Sequence, residues 1–561
     1  MLVGTLITQA CVDVGASIAD GYDAATQIGA EWTDQAIGSA WTTRAQQTPA
    51  AVALIFDERH WSYQELYRAS VQLAATLRER AIGAGERIVL MIDNGPGFVV
   101  AFFGCQLAGV LPVPASPKSS TERVQYLLKD SAARCILVEP ALSARTRALH
   151  ETQSYGGQIV ELILNTTPGP LTLQQHEPDP EACAFIQYTS GSTGQAKGVM
   201  ISHRAALENI RAFSADMALT PHDVFSSLLP LFHDMGLMCF GLAPLLLGHK
   251  LVLYPQESLS IYRWLAGIAD HKVTLTGAPD SLLQIANRVV EDPALYALQG
   301  LRMLICGSEP VRRDSVETFG QRFGVMHALK PAYGMAELTL CATLTASHVS
   351  FRVDANGKVA SGKPINGVKV AIRTETGQRV TDADVHGEIV VRSPSAMSGY
   401  WQRPHASDQA FDADGFLSTG DVGYLDSDGF LFVIGRLKNM LVRAGQKYSP
   451  HDLEMAAHAF PELRRAAVVQ LQNASAAIVS VLEIDRRMLV KPTLLSDLAR
   501  RYRQSAFAVS GLSPDACWFV GGGTIPTTEN GKFRHAALGQ MIETGALQAG
   551  WADVDLGLKY A

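Results

Sequence analysis

Tyr188-Thr-Ser-Gly-Ser-Thr-Gly-Gln-Ala-Lys-Gly-Val-Met-Ile-Ser-His203 follows a short apolar run, Phe185-Ile186, and precedes a segment of helical spacing. Its glycines Gly191, Gly194 and Gly198 permit the backbone conformations and close approach that a phosphate-wrapping loop requires. Thr189, Ser190, Ser192 and Thr193 add hydroxyl donors, and Lys197 adds a cation. A Walker-type loop ends in Gly-Lys-Ser/Thr. Here Ala196 precedes the lysine and Gly198 follows it, so that pattern fails. The plain alternative is a flexible polar linker, but linkers seldom pack hydroxyls, glycines and a lysine between strand and helix. The run reads as a phosphate-binding loop.

Working outward, the flanking sequence alternates helix and strand. Leu66, Leu73 and Leu77 predict a one-faced helix over Tyr63–Arg80. Arg87–Asp93 is an apolar run suited to a strand buried on both faces. A helix over Gly97–Ala108, extended chain at Leu111–Pro114, a helix over Glu122–Ala132 and a strand at Cys135–Val138 follow. Further strands are expected at Ala184–Tyr188, Lys250–Tyr254, Val273–Thr276 and Met303–Cys306. Helices over Arg204–Ala218, Ile261–Asp270 and Asp280–Val290 separate them. This rhythm predicts an α/β fold of mostly parallel sheets covered by helices. After about Gly362 the texture changes to short strands, Val368–Ile372, Glu388–Val391 and Phe430–Ile434, punctuated by Asp414-Gly415 and Asp428-Gly429 turns. From about Asn439 the chain reads as a small mixed α and β unit.

Composition narrows the function classes. A chain of 561 residues, 47% hydrophobic and 18% charged, is globular and too long for one core. A formal net charge of -7 offers no case for nucleic acid. The short basic runs Arg312-Arg313 and Arg500-Arg501-Tyr502-Arg503 read as solvated faces. Eight scattered cysteines without a CxxC pair read as reduced core residues. The first basic residue is Arg44, so residues 1–43 resemble neither a secretory nor a mitochondrial leader. Met235–Gly248 is apolar but contains Pro244 and is too short to cross a bilayer, so it is expected to be a buried helix. A soluble, cytoplasmic protein without membrane insertion is expected.

Together with further segments in order, the 188–203 run resembles the signature loop of the ANL superfamily of adenylate-forming enzymes. That superfamily includes acyl-CoA synthetases, nonribosomal adenylation domains, fatty acyl-AMP ligases and luciferases. The resemblance extends over about Ala40 to Arg534. It implies that Thr189, Ser190, Gly191, Ser192, Thr193, Gly194 and Lys197 hold the phosphates of ATP. Pro331-Ala-Tyr-Gly-Met-Ala-Glu337 resembles the adenine and magnesium motif. In it Ala332, Tyr333, Gly334 and Met335 would lie against the base, and Glu337 would help hold Mg2+. Gly307, Ser308 and Glu309 resemble the adjoining strand end. Ser418-Thr-Gly-Asp-Val-Gly-Tyr424 is similar to the ribose motif, where Asp421 accepts from the cis-diol. Gly435-Arg-Leu-Lys-Asn-Met440 resembles the hinge, with Arg436 reaching the ribose and Lys438 as pivot. Ile525-Pro-Thr-Thr-Glu-Asn-Gly-Lys-Phe-Arg534 resembles the loop whose lysine performs adenylation, which assigns that role to Lys532. The implied organisation is an extension of unassigned role over 1–36, a large AMP-binding domain over 37–437 with a small β-subdomain, and a small mobile α+β lid domain over 438–561.

The implied reaction joins a small-molecule carboxylic acid to AMP with release of pyrophosphate. No general base is needed, since a carboxylic acid with a pKa of ~4.3 is already ionised at neutral pH. Leu229-Pro-Leu-Phe-His-Asp-Met-Gly-Leu237 resembles the acyl-pocket segment most typical of fatty acyl-AMP ligases, which assigns His233, Asp234 and Met235 to the pocket, and Gly277-Ala-Pro-Asp280 leans the same way and adds Gly277. Ala336 leans the same way, because most other relatives have threonine there. Asp234 falls near where amino-acid-activating relatives bind the substrate ammonium. Those relatives have Phe where His233 stands, so an amino acid or aryl acid ranks below a fatty acid. Ala346–Pro364 is shorter than in fatty acyl-AMP ligases, whose insertion there is linked to refusing CoA. No serine follows Ser513. The expected acceptor is therefore phosphopantetheine on a separate acyl or peptidyl carrier protein, with CoA as the alternative. A luciferase-like oxygenase or a silent binding module ranks last, because Lys532, Glu337 and Asp421 are all present.

Overall fold

The computed structural model describes residues 35–142, 157–164, 177–189, 196–255, 261–473, 476–528 and 533–554. The 1–36 extension lies outside them except for Gln35 and Ala36. A helix begins at once, Ile37–Gln47, and inserts the fully buried Trp41 against Phe103, ring centroids 4.2 Å apart.

A nine-stranded sheet forms the centre. Its six inner strands, Val52–Phe56, Lys250–Leu253, Val224–Ser227, Leu275–Ala278, Met303–Cys306 and Leu329–Gly334, are parallel neighbours in that order. Antiparallel strands close both edges, Arg59–Ser62 on one side and Cys341–Leu344 with Lys363–Pro364 on the other. A second sheet, Leu111–Pro114, Arg87–Met91, Cys135–Val138 and Gln158–Glu161, is wholly parallel. Inner strands such as Met303–Cys306 are buried at every position, which is why they read as unbroken apolar runs.

Two expectations are refined. Gly198–Ser202, placed in no element from the sequence, is a strand pairing antiparallel with Cys183–Tyr188, the two strands that flank the expected phosphate loop in sequence. The helix then starts at His203, its first turn capped by the Ser202 hydroxyl. The Met235–Gly248 segment is buried from Met235 to Leu247, as expected, but winds as a π-helix over Met235–Leu242 before an α-helix over Ala243–Leu247. Gly236 allows this close seat, because a Cβ there would lie 1.9 Å from the Pro230 carbonyl oxygen.

Beyond Gly362 a five-stranded antiparallel sheet carries Leu417–Leu425 beside Leu431–Arg436. The main apolar core draws on residues between Ile37 and Leu431. From Leu441 onward two further cores cover opposite faces of the Arg465–Gln470, Ile478–Ile484 and Ala516–Gly521 strands. Ala466 and Val468 point to one core and Ala467 and Val469 to the other, the two-residue alternation of a strand. Among the described residues all seven cysteines are free, and only Cys183 is not fully buried. No described helix is long and apolar enough to cross a membrane.

Candidate active site

A cleft of about 2040 Å3 opens at the carboxyl ends of the central strands and is roofed by residues of the C-terminal region. At the neck of the phosphate loop Tyr188 pairs with Gly198, and the Thr189 amide donates to the Lys197 carbonyl at 3.0 Å. Ser190, Gly191, Ser192, Thr193 and Gly194 lie outside the described residues. Lys197 Nζ sits 4.5 Å from the Tyr400 ring centroid, a cation held over an aromatic face.

The expected adenine and ribose residues converge. Tyr333 donates its hydroxyl to Asp421 Oδ2 at 2.6 Å. Arg436, opposite Asp421 in the strand register, reaches Oδ1 at 2.8 Å and also donates to the Thr419 carbonyl at 3.1 Å. Burial, then the Asp421 charge, pushes the Tyr333 pKa far above its ordinary value, so the phenol remains a donor. Gly334 has no room for a side chain: a Cβ would fall 1.6 Å from the Leu340 carbonyl oxygen. Gly307, Ser308 and Glu309 leave the Met303–Cys306 strand through a turn in which Ser308 adopts a left-handed φ of 67°. The turn is pinned twice. Glu309 accepts from the Ser281 amide, and Arg312 pairs with buried Asp280 at 2.7 Å. Ala332 and Met335 border the same cleft.

Glu337 is buried, and its Oε1 accepts the Tyr400 hydroxyl at 3.0 Å. Desolvation is the largest influence on it and raises its pKa. Asp234 caps the π-helix by accepting from the Met235 amide at 2.8 Å, while His233 lies tilted on Phe232. Ser308 donates to Met235 Sδ at 3.3 Å, so the acyl segment and the turn after Cys306 share a wall. A Cβ on Gly277 would fall 2.4 Å from the Phe240 ring. Phe213, Met217, Cys239, Cys341 and Leu344 are among the apolar residues that line the cleft.

Lys438 is pushed down to about 8, first by desolvation and then by the charges of Arg436 and Lys197. Lys532 lies outside the described residues. The residues flanking it, Thr527, Thr528, Phe533 and Arg534, line the cleft, and Thr527 bridges antiparallel to Phe533.

Sequence reasoning missed Tyr400, Arg403, Tyr126 and Asp130. Arg403 donates to Asp130 at 2.6 Å across 273 residues of chain, a distance at which local spacing carries no signal.

The buried Asp421 held by Tyr333 and Arg436, and Glu337 and Lys197 both meeting Tyr400, stand in one cleft with the glycine- and hydroxyl-rich hairpin, an arrangement that accords with an adenylate-forming ligase. Residues 41–401 match the AMP-binding enzyme family, and the chain belongs to it. It is 29% identical over 553 residues to the medium-chain-fatty-acid–[acyl-carrier-protein] ligase JamA of Moorena producens (strain JHB), covering 89% of this chain and 92% of that protein. It is 28% identical over 523 residues to the long-chain-fatty-acid–AMP ligase FadD23 of Mycobacterium tuberculosis (strain CDC 1551 / Oshkosh), covering 85% and 89%. A solved structure from studies of fatty acyl-adenylate ligases of E. coli and L. pneumophila superimposes with a TM-score of 0.81 at 26% identity, covering 91% and 98%.

Proposed function

We propose that the enzyme activates a fatty acid with ATP and passes the acyl group to the phosphopantetheine thiol of a separate acyl carrier protein. The observation that carries this reading is a group of apolar residues, Phe213, Met217, Cys239, Cys341 and Leu344, that line the same cleft as Met235 and the Tyr333–Asp421–Arg436 cluster. An acyl chain suits an apolar lining of this kind better than an amino acid's ammonium does. The fatty-acid ligase names of JamA and FadD23 support the same substrate class.

In the reaction a carboxylate oxygen bonds to the α-phosphorus as the bond to pyrophosphate breaks, and no proton is transferred. Alignment and charge compensation supply the catalysis. Thr189 and Lys197 would face the departing pyrophosphate, Tyr333 would lie on adenine, and Asp421 with Arg436 would hold the ribose. Glu337 fits Mg2+: it is an oxygen donor whose burial disfavours its own charge, and a divalent cation would compensate that charge. Bound Mg2+ would neutralise phosphate oxygens. Lys532, on the loop between Thr528 and Phe533, would bridge the acyl carboxylate and the α-phosphate. The proposed division is a large domain over 37–437 and a lid over 438–561 that pivots at Lys438. A cytoplasmic location accords with the free cysteines.

CoA is the second reading for the acceptor, favoured by the short Ala346–Pro364 segment. The test is pyrophosphate release with ATP-Mg2+ across a panel of fatty, aryl and amino acids, followed by transfer to CoA or a holo carrier protein. Fatty acids should stimulate best, and Lys532→Ala should abolish acid-dependent exchange while sparing thioester formation from supplied acyl-AMP. No stimulation by any acid overturns the proposal.

A further inference from the structure

The hairpin ladder ends at the Tyr188–Gly198 pair, immediately before the phosphate-loop neck where Thr189 and Lys197 meet. Four side chains from three distant segments close around this neck. Tyr188 donates its hydroxyl to Asp130 Oδ2 at 2.7 Å. Arg403 donates to Asp130 Oδ1 at 2.6 Å and to the Tyr126 hydroxyl at 3.2 Å. Tyr126 in turn donates to the Ala196 carbonyl at 2.5 Å. One residue on each side of the neck is therefore held, Tyr188 from the incoming strand and Ala196 from the returning one.

The holder is itself anchored. Tyr126 and Asp130 lie one turn apart on the Thr121–Ser131 helix, whose other face packs Val124, Leu127 and Leu128 into an apolar core. Arg403 follows Gly399-Tyr400, which pairs with the hairpin, and the Trp401 amide donates to the Gly198 carbonyl at 2.7 Å. Tyr400 on the same short segment reaches both Glu337 and Lys197.

We propose that Asp130, Arg403 and Tyr126 are positioning residues for ATP: they fix Thr189 and Lys197, and through them the β and γ phosphates. The inference rests on the adenylation reading above. The hairpin strands are already held by their ladder and by Phe185 and Ile201 in the core, so their folding does not need the bracket. Beyond the Tyr188–Gly198 pair the neck is joined by the Thr189–Lys197 hydrogen bond, and small misplacements there are costly to catalysis.

The experiment compares two ligands on the full chain by calorimetry. ATP-Mg2+ carries the β and γ phosphates, whereas decanoyl-sulfamoyladenosine fills the adenine, ribose and acyl sites without them. Arg403→Gln should weaken ATP about tenfold, the scale of one charge-assisted pair. Tyr126→Phe, which removes a single hydroxyl, should weaken ATP about threefold, the scale of one neutral hydrogen bond. Both variants should bind the sulfamoyl analogue as the parent does, and in pyrophosphate exchange KM for ATP should rise more than kcat falls. Arg403→Lys should recover part of the loss. Should Arg403→Gln fail to fold, Tyr126→Phe decides. Equal loss of both ligands, or loss of neither, overturns the inference while leaving adenylation intact. A parent enzyme that binds neither ligand overturns both.

Discussion

Arg436 stands directly across the sheet from Asp421 and holds one carboxylate oxygen at 2.8 Å while Tyr333 holds the other at 2.6 Å. On the proposed reading a ribose diol would meet a carboxylate already oriented from both sides, with both acceptor oxygens in fixed directions. Asp421→Asn preserves the shape but replaces one acceptor with a donor and cancels the charge facing Arg436. Affinity for AMP and ATP should fall together by about tenfold to a hundredfold, the scale of a lost charge-assisted pair in a buried site. Calorimetry with AMP, which lacks the β and γ phosphates, separates this from any effect at the phosphate loop. Unchanged AMP affinity would remove Asp421 from the ribose site.

Glu337 gives a prediction with a defined sign. Desolvation, the largest influence, raises its pKa in the folded protein. A carboxyl whose folded pKa exceeds its unfolded value contributes stability that is fully present below the unfolded pKa and is lost as pH rises through the folded one. Glu337→Gln removes that dependence. Without nucleotide the variant should melt higher than the parent at pH 8, and the gap should shrink toward pH 4.5. Exchange activity should meanwhile drop by about a hundredfold, as for loss of one preorganised electrostatic group. A variant that melts lower at pH 8 would show that the Tyr400 contact outweighs the burial of charge.

These two carboxylates were legible in the sequence because each sits in a short motif whose residue types suit its chemistry. The parallel strands were legible for a related reason, since burial on both faces writes an unbroken apolar run such as Met303–Cys306. Tyr400 and Asp130 were not. Each acts through a partner far along the chain, and neither lies in a stretch whose periodicity singles it out. The strand at Gly198–Ser202 was missed because the eye-catching glycines and hydroxyls before it mask its Val-Met-Ile run. Gly277 reads from its motif as a pocket residue, yet Phe240 fills the space beside it.

That packing sets up a chain-length prediction. On the proposed reading, with Phe240 packed against Gly277, the acyl chain would lie against Cys239, Cys341 and Met217, which line the cleft. Met217→Trp and Cys341→Phe should shift the preferred fatty acid to shorter chains, with kcat on the shortest accepted acid nearly unchanged. Gly277→Val should instead destabilise the fold by about 1–3 kcal/mol through overpacking against Phe240. Pyrophosphate release over an acid series reads the first outcome and urea unfolding the second. An unshifted profile in both variants would place the chain elsewhere.

The Ala346–Pro364 segment supplies the last prediction. Lys358 reaches across the cleft to Asp452 at 2.7 Å, and neighbouring Arg312, which bridges to Lys358 through the backbone, touches Met455 Sδ at 3.8 Å. The segment thus fastens the C-terminal region in the orientation that turns Thr527 and Phe533 toward the cleft. Both members of the ion pair are about a quarter exposed, so the pair is worth at most about 1 kcal/mol, and its loss moves an equilibrium by no more than about fivefold. If the proposed lid motion operates, Lys358→Ala should lower exchange and raise transfer from supplied acyl-AMP within that limit, by letting the lid leave the first orientation more often. Raising ionic strength should mimic it in the parent and have less effect in the variant. The charge swap Lys358→Asp with Asp452→Lys should restore the parent balance. A Lys358→Ala enzyme that slows both half-reactions equally would mean that the pair supports the fold of the segment and has no part in the choice between orientations.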